Sequence, residues 1–162
     1  MELAHKHKHK STITSKSLSM KTKRQIVQTY IIPVAMYATE TVAWTHPLIN
    51  KMKVFQNHLM RWMCGKRLSD QVSVEQLKET TKLENIEETI ISKKLVWFGH
   101  LKRAVIPAKV ICEGLIPGKR RRGRPSWRWI DDALKWSNKH TGQLNELVWN
   151  RNAWRNLRYN FN

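Results

Sequence analysis

Asn85-Ile86-Glu87-Glu88-Thr89-Ile90-Ile91-Ser92-Lys93-Lys94-Leu95-Val96-Trp97-Phe98-Gly99-His100-Leu101-Lys102-Arg103 is the stretch that decides the fold. Ile86, Ile90, Leu95, Phe98 and Leu101 recur at helical spacing and make one apolar stripe, with no strand-like alternation. Glu87 and Glu88 fall in the first turn and Lys102 and Arg103 in the last, each where the helix dipole favours its charge. Working upstream, Ser73 with Gln76 three residues later has capping-box form and predicts a short helix to about Thr80. Leu48, Met52, Phe55, Leu59 and Met63 predict a helix after Pro47, with Gly65 where a C-terminal cap belongs. Ile26, Tyr30 and Val34, with Val27 and Ile31 beside them, predict another helix from near Leu18. Pro33 must kink or restart it.

Downstream, Pro107, Gly114, Pro117, Gly118, Gly123 and Pro125 punctuate residues 104–125. They read as a connector with a short helix or strand around Lys109 to Cys112. Ser126 is placed to cap a helix holding Trp129, Ile130, Ala133 and Leu134. A last helical segment holds Leu147, Trp154 and Leu157. The expectation is an all-α fold of about five or six helices. It divides into a basic, disordered N-terminal tail (1–17), a helical region (18–103), a basic Gly/Pro connector loop (104–125) and a C-terminal helical segment (126–162). The tail assignment rests on the His5-Lys6-His7-Lys8-His9-Lys10 alternation, which offers nothing to a core.

The chain has 162 residues, with 30 Lys and Arg against 12 Asp and Glu, a formal charge of +18. That balance calls for an acidic partner: nucleic acid first, an anionic membrane second. No apolar run approaches the roughly 18 residues of a membrane span. The N-terminal stretch lacks the apolar segment of a signal peptide. Two cysteines, Cys64 and Cys112, are too few for a disulfide scaffold and fit a reducing compartment, nuclear or cytoplasmic.

Lys119-Arg120-Arg121-Arg122-Gly123-Arg124-Pro125 with Arg128 places six cations in ten residues and no acid among them. Such a cluster repels itself unless it meets an anion or water, and arginine donors match phosphate oxygens in bidentate pairs. If all six met phosphates of a duplex, the logarithmic salt slope would be roughly −5. Because the cluster lies in a Gly/Pro loop rather than on an amphipathic helix, it points away from membranes. Arg122-Gly123-Arg124-Pro125 also resembles an AT-hook, whose glycine sits deep in a narrow minor groove. A nuclear-import signal or a solvated turn fits the same residues. Trp127 and Trp129 lie two apart and face different sides of a helix. Trp129 aligns with Ala133 and Trp136 and is assigned to the core, which leaves Trp127 to stack on unpaired bases. Trp44, Trp62, Trp97, Trp149 and Trp154 are expected to be packing residues.

No catalytic or metal constellation emerges. Trp129-Ile130-Asp131-Asp132 imitates a polymerase Asp-Asp box, but the pair lies in a helical pattern without a third carboxylate on a neighbouring strand. These acids are expected to serve the helix N-terminus or a nearby Arg. His58, Cys64, His100 and Cys112 lack metal-ligand spacing. No phosphate loop or nucleotide fingerprint is present, so no cofactor is expected.

Six segments, in order, resemble the C-terminal part of LINE-type (non-LTR) retrotransposon reverse transcriptases. They are Ser15 to Lys23; Tyr30-Ile31-Ile32-Pro33-Val34 through Tyr37 with Glu40-Thr41; Phe55 through Arg61 to Gly65; Leu95-Val96-Trp97-Phe98-Gly99-His100-Leu101-Lys102-Arg103; Gly118 to Pro125 with Arg128-Trp129-Ile130-Asp131-Asp132; and Arg151-Asn152-Ala153-Trp154-Arg155. The resemblance covers about residues 15 to 160. It implies a helical thumb and basic extension that grip template–primer phosphates, with RNA, DNA or their hybrid as partner. The catalytic part of a reverse transcriptase is a further partner it implies. Polymerase and endonuclease residues would lie upstream, so the fragment itself would not be an enzyme. Where the family box carries Gly-Ser before Glu-Thr, this chain has Ala38-Thr39, and Asn150 and Asn152 stand near positions usually held by Asp.

The expected phosphate contacts are Lys119, Arg120, Arg121, Arg122, Arg124 and Arg128, with Lys102 and Arg103 extending the patch and Trp127 as stacker. Trp97, Phe98, Leu101, Trp129, Leu134 and Trp154 are expected to form the core that holds the loop. The alternatives are an element-derived DNA-binding protein using the loop as an AT-hook, a helical interaction domain, or a nonfunctional relic.

Overall fold

In the computed structural model, residues 10–104, 107–113, 122–123 and 127–159 are described. They are mostly helical and contain no strand, as an all-α reading requires. The helices outnumber the five or six expected, because short helices occupy the N-terminal stretch and the connector, and the C-terminal segment divides in two. The chain forms two compact units, one of Met1–Tyr37 and Pro47–Glu87, the other of Ala38–His46 and Glu88–Asn162.

In the first unit, α1 (Lys10–Thr14) stands where the expected disordered tail would run; residues 1–9 of that tail lie outside the described residues. Ile13 of α1 is fully buried with Val27, Ile31, Leu59 and Met63. A single apolar side chain suffices to dock a turn whose other residues stay polar. The next helix begins as α2 (Met20–Ile26), where Ser19 accepts from the Thr22 N–H at 3.2 Å. It then passes through a π-helical turn, Val27–Ile31, and resumes as α3 (Ile32–Ala35). The wide turn lies just ahead of Pro33, which has no N–H to donate, and the helical path continues through the proline without breaking. The buried face is therefore Val27, Ile31 and Ala35. Tyr30 and Val34, expected on the apolar stripe, are exposed.

Helix α4 (His46–Cys64) buries Ile49, Met52, Leu59, Met60 and Met63. Gly65, at φ 64°, ends it in the left-handed conformation that suits glycine. The buried Lys23 ammonium donates to the Met63 carbonyl at 3.0 Å, which satisfies an orphan acceptor at the end of α4. Helix α5 (Val74–Thr81) carries the Ser73–Gln76 capping box the sequence announces, and Arg24 donates to the Thr81 carbonyl at 2.6 Å. Gln56 donates to the Glu84 carbonyl and accepts from the Ile86 N–H.

The second unit is built on α6 (Ile86–Arg103), α7 (Pro107–Glu113), α8 (Trp129–Ser137), α9 (Thr141–Trp149) and α10 (Arg151–Tyr159). Ile91, Leu95, Phe98, Ala133, Leu144, Val148 and Trp154 form its core, with Trp129, Leu134 and Trp136 packed against it. Gly99 has a specific reason. A Cβ there would lie 2.5 Å from the Trp154 indole nitrogen, so only glycine lets that ring approach. Trp154 stacks on Phe98 at 5.6 Å between centroids and donates to the Leu95 carbonyl at 3.2 Å. Two expected packing residues are corrected: Trp97 is 38% exposed and Trp149 66%. Both stand on the outward side of helices whose inward sides are already filled by Phe98 and Val148.

Residues 38–46 form a strap within this unit. It opens at Ala38, in the left-handed conformation (φ 56°, ψ 19°), followed by a 3₁₀ turn, Thr39–Thr41. The turn is thus made on an alanine.

Candidate nucleic-acid interface

The basic segment enters the second unit through Trp127 and Arg128, and the chemistry beneath them begins with two buried charges. Lys94, in the middle of α6, has no exposed side-chain surface, and Asp132 on α8 is 1% exposed. They form an ion pair. Lys94 also donates to the Val42 carbonyl at 2.5 Å. Asp132 accepts from the Trp44 backbone N–H at 2.7 Å and from the Trp127 indole N–H. The ammonium lies 5.0 Å from the Trp129 ring centre and 5.9 Å from that of Trp136. Trp129 in turn donates to the Glu40 carbonyl at 2.6 Å and stacks on Phe98. Desolvation of both charges is thereby offset by mutual attraction, hydrogen bonds and aromatic faces.

Asp131 does a separate task. Its carboxylate accepts the Arg128 backbone N–H at 2.7 Å and so caps the start of α8. The cap residue is Arg128, two positions later than the expected Ser126, which lies outside the described residues. Of the two roles expected for the Asp pair, helix N-terminus or nearby Arg, Asp131 takes the first, while Asp132 meets a lysine, Lys94, instead. Nothing local in the sequence announces that pairing, because its partners lie 38 and 88 positions away. A lysine on the apolar side of α6, one residue before Leu95, was the available signal.

Of the expected phosphate contacts, Arg122 and Arg128 are exposed. Lys119, Arg120, Arg121 and Arg124 lie outside the described residues. Gly123 has φ 131°, a backbone state closed to most side chains. Trp127 is 43% exposed; its N–H is tied to Asp132, and Lys135 lies 5.8 Å from its ring centre. One edge is anchored and part of the ring remains open. Lys102, expected on the exposed patch, is buried, its ammonium 5.6 Å from the Phe98 ring centre. Arg103 is half-buried and donates to the Val148 carbonyl at 2.8 Å. Burial, then the charge of Arg151, pushes its guanidinium below the usual value.

Among the described residues no three His, Cys, Asp or Glu side chains gather into a metal-sized group. No helix among them is long and apolar enough to cross a membrane. Burial pushes the Cys64 thiol up, against the opposing charges of Lys23 and Lys66. None of the family models matches this sequence, no curated protein matches it, and no solved structure matches the fold.

Proposed function

We propose that this chain is a non-catalytic nucleic-acid-binding module that grips phosphates through Lys119, Arg120, Arg121, Arg122, Arg124 and Arg128. One observation carries the reading. The two carboxylates that follow the basic run are both engaged internally, Asp131 in a helix cap and Asp132 in a buried ion pair. Among the described residues neither pairs with an arginine, which favours an external anion for the run, and the +18 charge makes a polyanion the fitting one. Trp127, anchored at its indole nitrogen, is the aromatic surface nearest in sequence and suits stacking on an unpaired base. In the setting that the sequence resemblance implies, the module is the thumb-like region of a retrotransposon reverse transcriptase. Its phosphate contacts position template and primer without reading their sequence.

The test is fluorescence anisotropy with labelled RNA–DNA hybrid, A·T-rich duplex, G·C-rich duplex and single-stranded RNA across a salt series. Tight, salt-steep binding that favours hybrid or structured RNA is expected, and Arg120→Ala/Arg121→Ala/Arg122→Ala should lower the slope by about three. A marked A·T preference would replace the thumb reading with the AT-hook one. Weak and equal binding to all four would reject both.

A further inference from the structure

A second arginine-bearing surface lies in the same unit, and its described residues come from two helices outside the basic segment. The last turn of α6 presents His100 and Arg103, three residues apart, and the start of α10 presents Arg151 and Arg155, four apart. Both spacings keep side chains on one helix face. These four residues line a cleft of about 240 Å³ with Trp154. Trp154 is buried, and its indole N–H is already committed to Leu95, so it makes a rigid wall. Arg103 is held by the Val148 carbonyl, which fixes one guanidinium at the cleft.

Among the described residues no carboxylate lines the cleft, and none of its three arginines makes an ion pair. The cap that starts α10 is neutral as well: the Asn150 side-chain oxygen accepts from the Ala153 N–H at 3.1 Å. An Asp there would have brought a negative charge to the turn carrying Arg151. Like charges from two helices facing one cleft oppose folding, and the arrangement becomes favourable when an anion enters. Three guanidiniums around one volume suit a tetrahedral oxyanion that can accept paired N–H donors.

We infer that this cleft is a phosphate pocket for a nucleic-acid strand, formed by residues other than those of the basic segment at 119–128. The inference rests on the nucleic-acid reading above. A cleft of this size holds a phosphate with its sugar, and the rest of a strand must run out across the surface. The module then holds its ligand at two places, one loop and one pocket.

The experiment compares four proteins: wild type, Arg151→Gln/Arg155→Gln, the loop variant Arg120→Ala/Arg121→Ala/Arg122→Ala, and a charge-matched control, Lys21→Gln/Lys51→Gln. All four substituted residues of the cleft and control variants are exposed, so folding should be retained, and circular dichroism checks it. Inorganic pyrophosphate at constant ionic strength should raise the thermal midpoint of wild type, loop variant and control, and raise that of the cleft variant clearly less. With a labelled single-stranded oligonucleotide, the cleft variant should lose about tenfold in affinity and about one unit of salt slope beyond the control. Arg151→Lys/Arg155→Lys should keep the slope and still lose affinity, since lysine cannot make the paired contact. A pyrophosphate shift as large in the cleft variant as in the control, or a cleft variant that binds oligonucleotide as the control does, overturns the pocket while leaving the loop reading intact. A pyrophosphate shift confined to the cleft, without oligonucleotide binding by wild type, overturns the strand and the nucleic-acid reading together.

Discussion

Lys23 in the first unit and Lys94 in the second are both buried, and the two are compensated in different ways. In the first unit Lys23, 7% exposed, ends on the Met63 carbonyl at the last turn of α4. Its charge meets the partial negative end of a helix, and its stem adds apolar surface to a core of Ile, Leu and Met. In the second unit Lys94 is wholly enclosed and ends on a full negative charge, Asp132, among tryptophan rings. A carbonyl at a helix end is supplied by any sequence, so Lys23 is replaceable. A buried carboxylate depends on one residue, so Lys94 and Asp132 stand or fall together. The second unit is thus centred on a polar contact that also fixes the strap at Val42 and Trp44 and the end of the basic segment at Trp127.

The hardest blow to that centre is Asp132→Ala. It strands a buried ammonium and removes the acceptor for Trp44 and Trp127, and a loss of about 3–5 kcal/mol is expected. Chemical denaturation of the full chain measures it. The same variant frees Trp127, so any binding that relies on a stacked base should weaken with it. A loss below about 1 kcal/mol would show that water or another group can take the place of the carboxylate. Gly99→Ala probes the aromatic half of the same unit. The added methyl meets the ring of Trp154, which is enclosed and tied to Leu95. The expected cost is about 1–3 kcal/mol, the range for overpacking a rigid site. In the first unit, by contrast, Lys23→Met should cost only about 1 kcal/mol, because the stem's packing remains and one helix-end carbonyl goes unpaired. If Lys23→Met proves as damaging as Asp132→Ala, the contrast between the two lysines is lost.

The same contrast explains what could be read from residue order. Helices α4, α5 and α6 are legible because their signals are local: Ser73 with Gln76, Gly65 after Met63, the stripe from Ile86 to Leu101. Phe98, Leu101 and Trp154 are legible as core for the same reason. The face of the Val27–Ala35 stretch is legible in part: Val27 and Ile31 are buried as expected, whereas Tyr30 and Val34 are exposed beside a π-helical turn, and periodicity assumes a constant turn. Ile13 is missed because one apolar residue makes no pattern. The Lys94–Asp132 pair and the strap that joins it are missed because nothing near Lys94 or Asp132 names the other. In the candidate interface, charge density singles out the loop at 119–128. The cleft of His100, Arg103, Arg151 and Arg155 is invisible in order, since its halves come from helices about fifty residues apart.

The strap offers the gentlest test of the comparison, and one with the opposite sign. Ala38 holds φ 56° at the turn that launches residues 38–46 toward Lys94 and Asp132. A left-handed alanine costs roughly 1–2 kcal/mol from the clash of its Cβ with the backbone. Glycine removes that clash and adds back about 0.5–1 kcal/mol of unfolded-state entropy. Ala38→Gly should therefore stabilise the protein by about 0.5–1 kcal/mol, seen as a higher midpoint in denaturant with unchanged slope. The gain should persist in Lys23→Met, whose unit is separate, and shrink in Asp132→Ala, where the strap has lost the contact the turn serves. Equal gains in both backgrounds would mean that the turn acts on its own, and that the buried ion pair does not hold the strap.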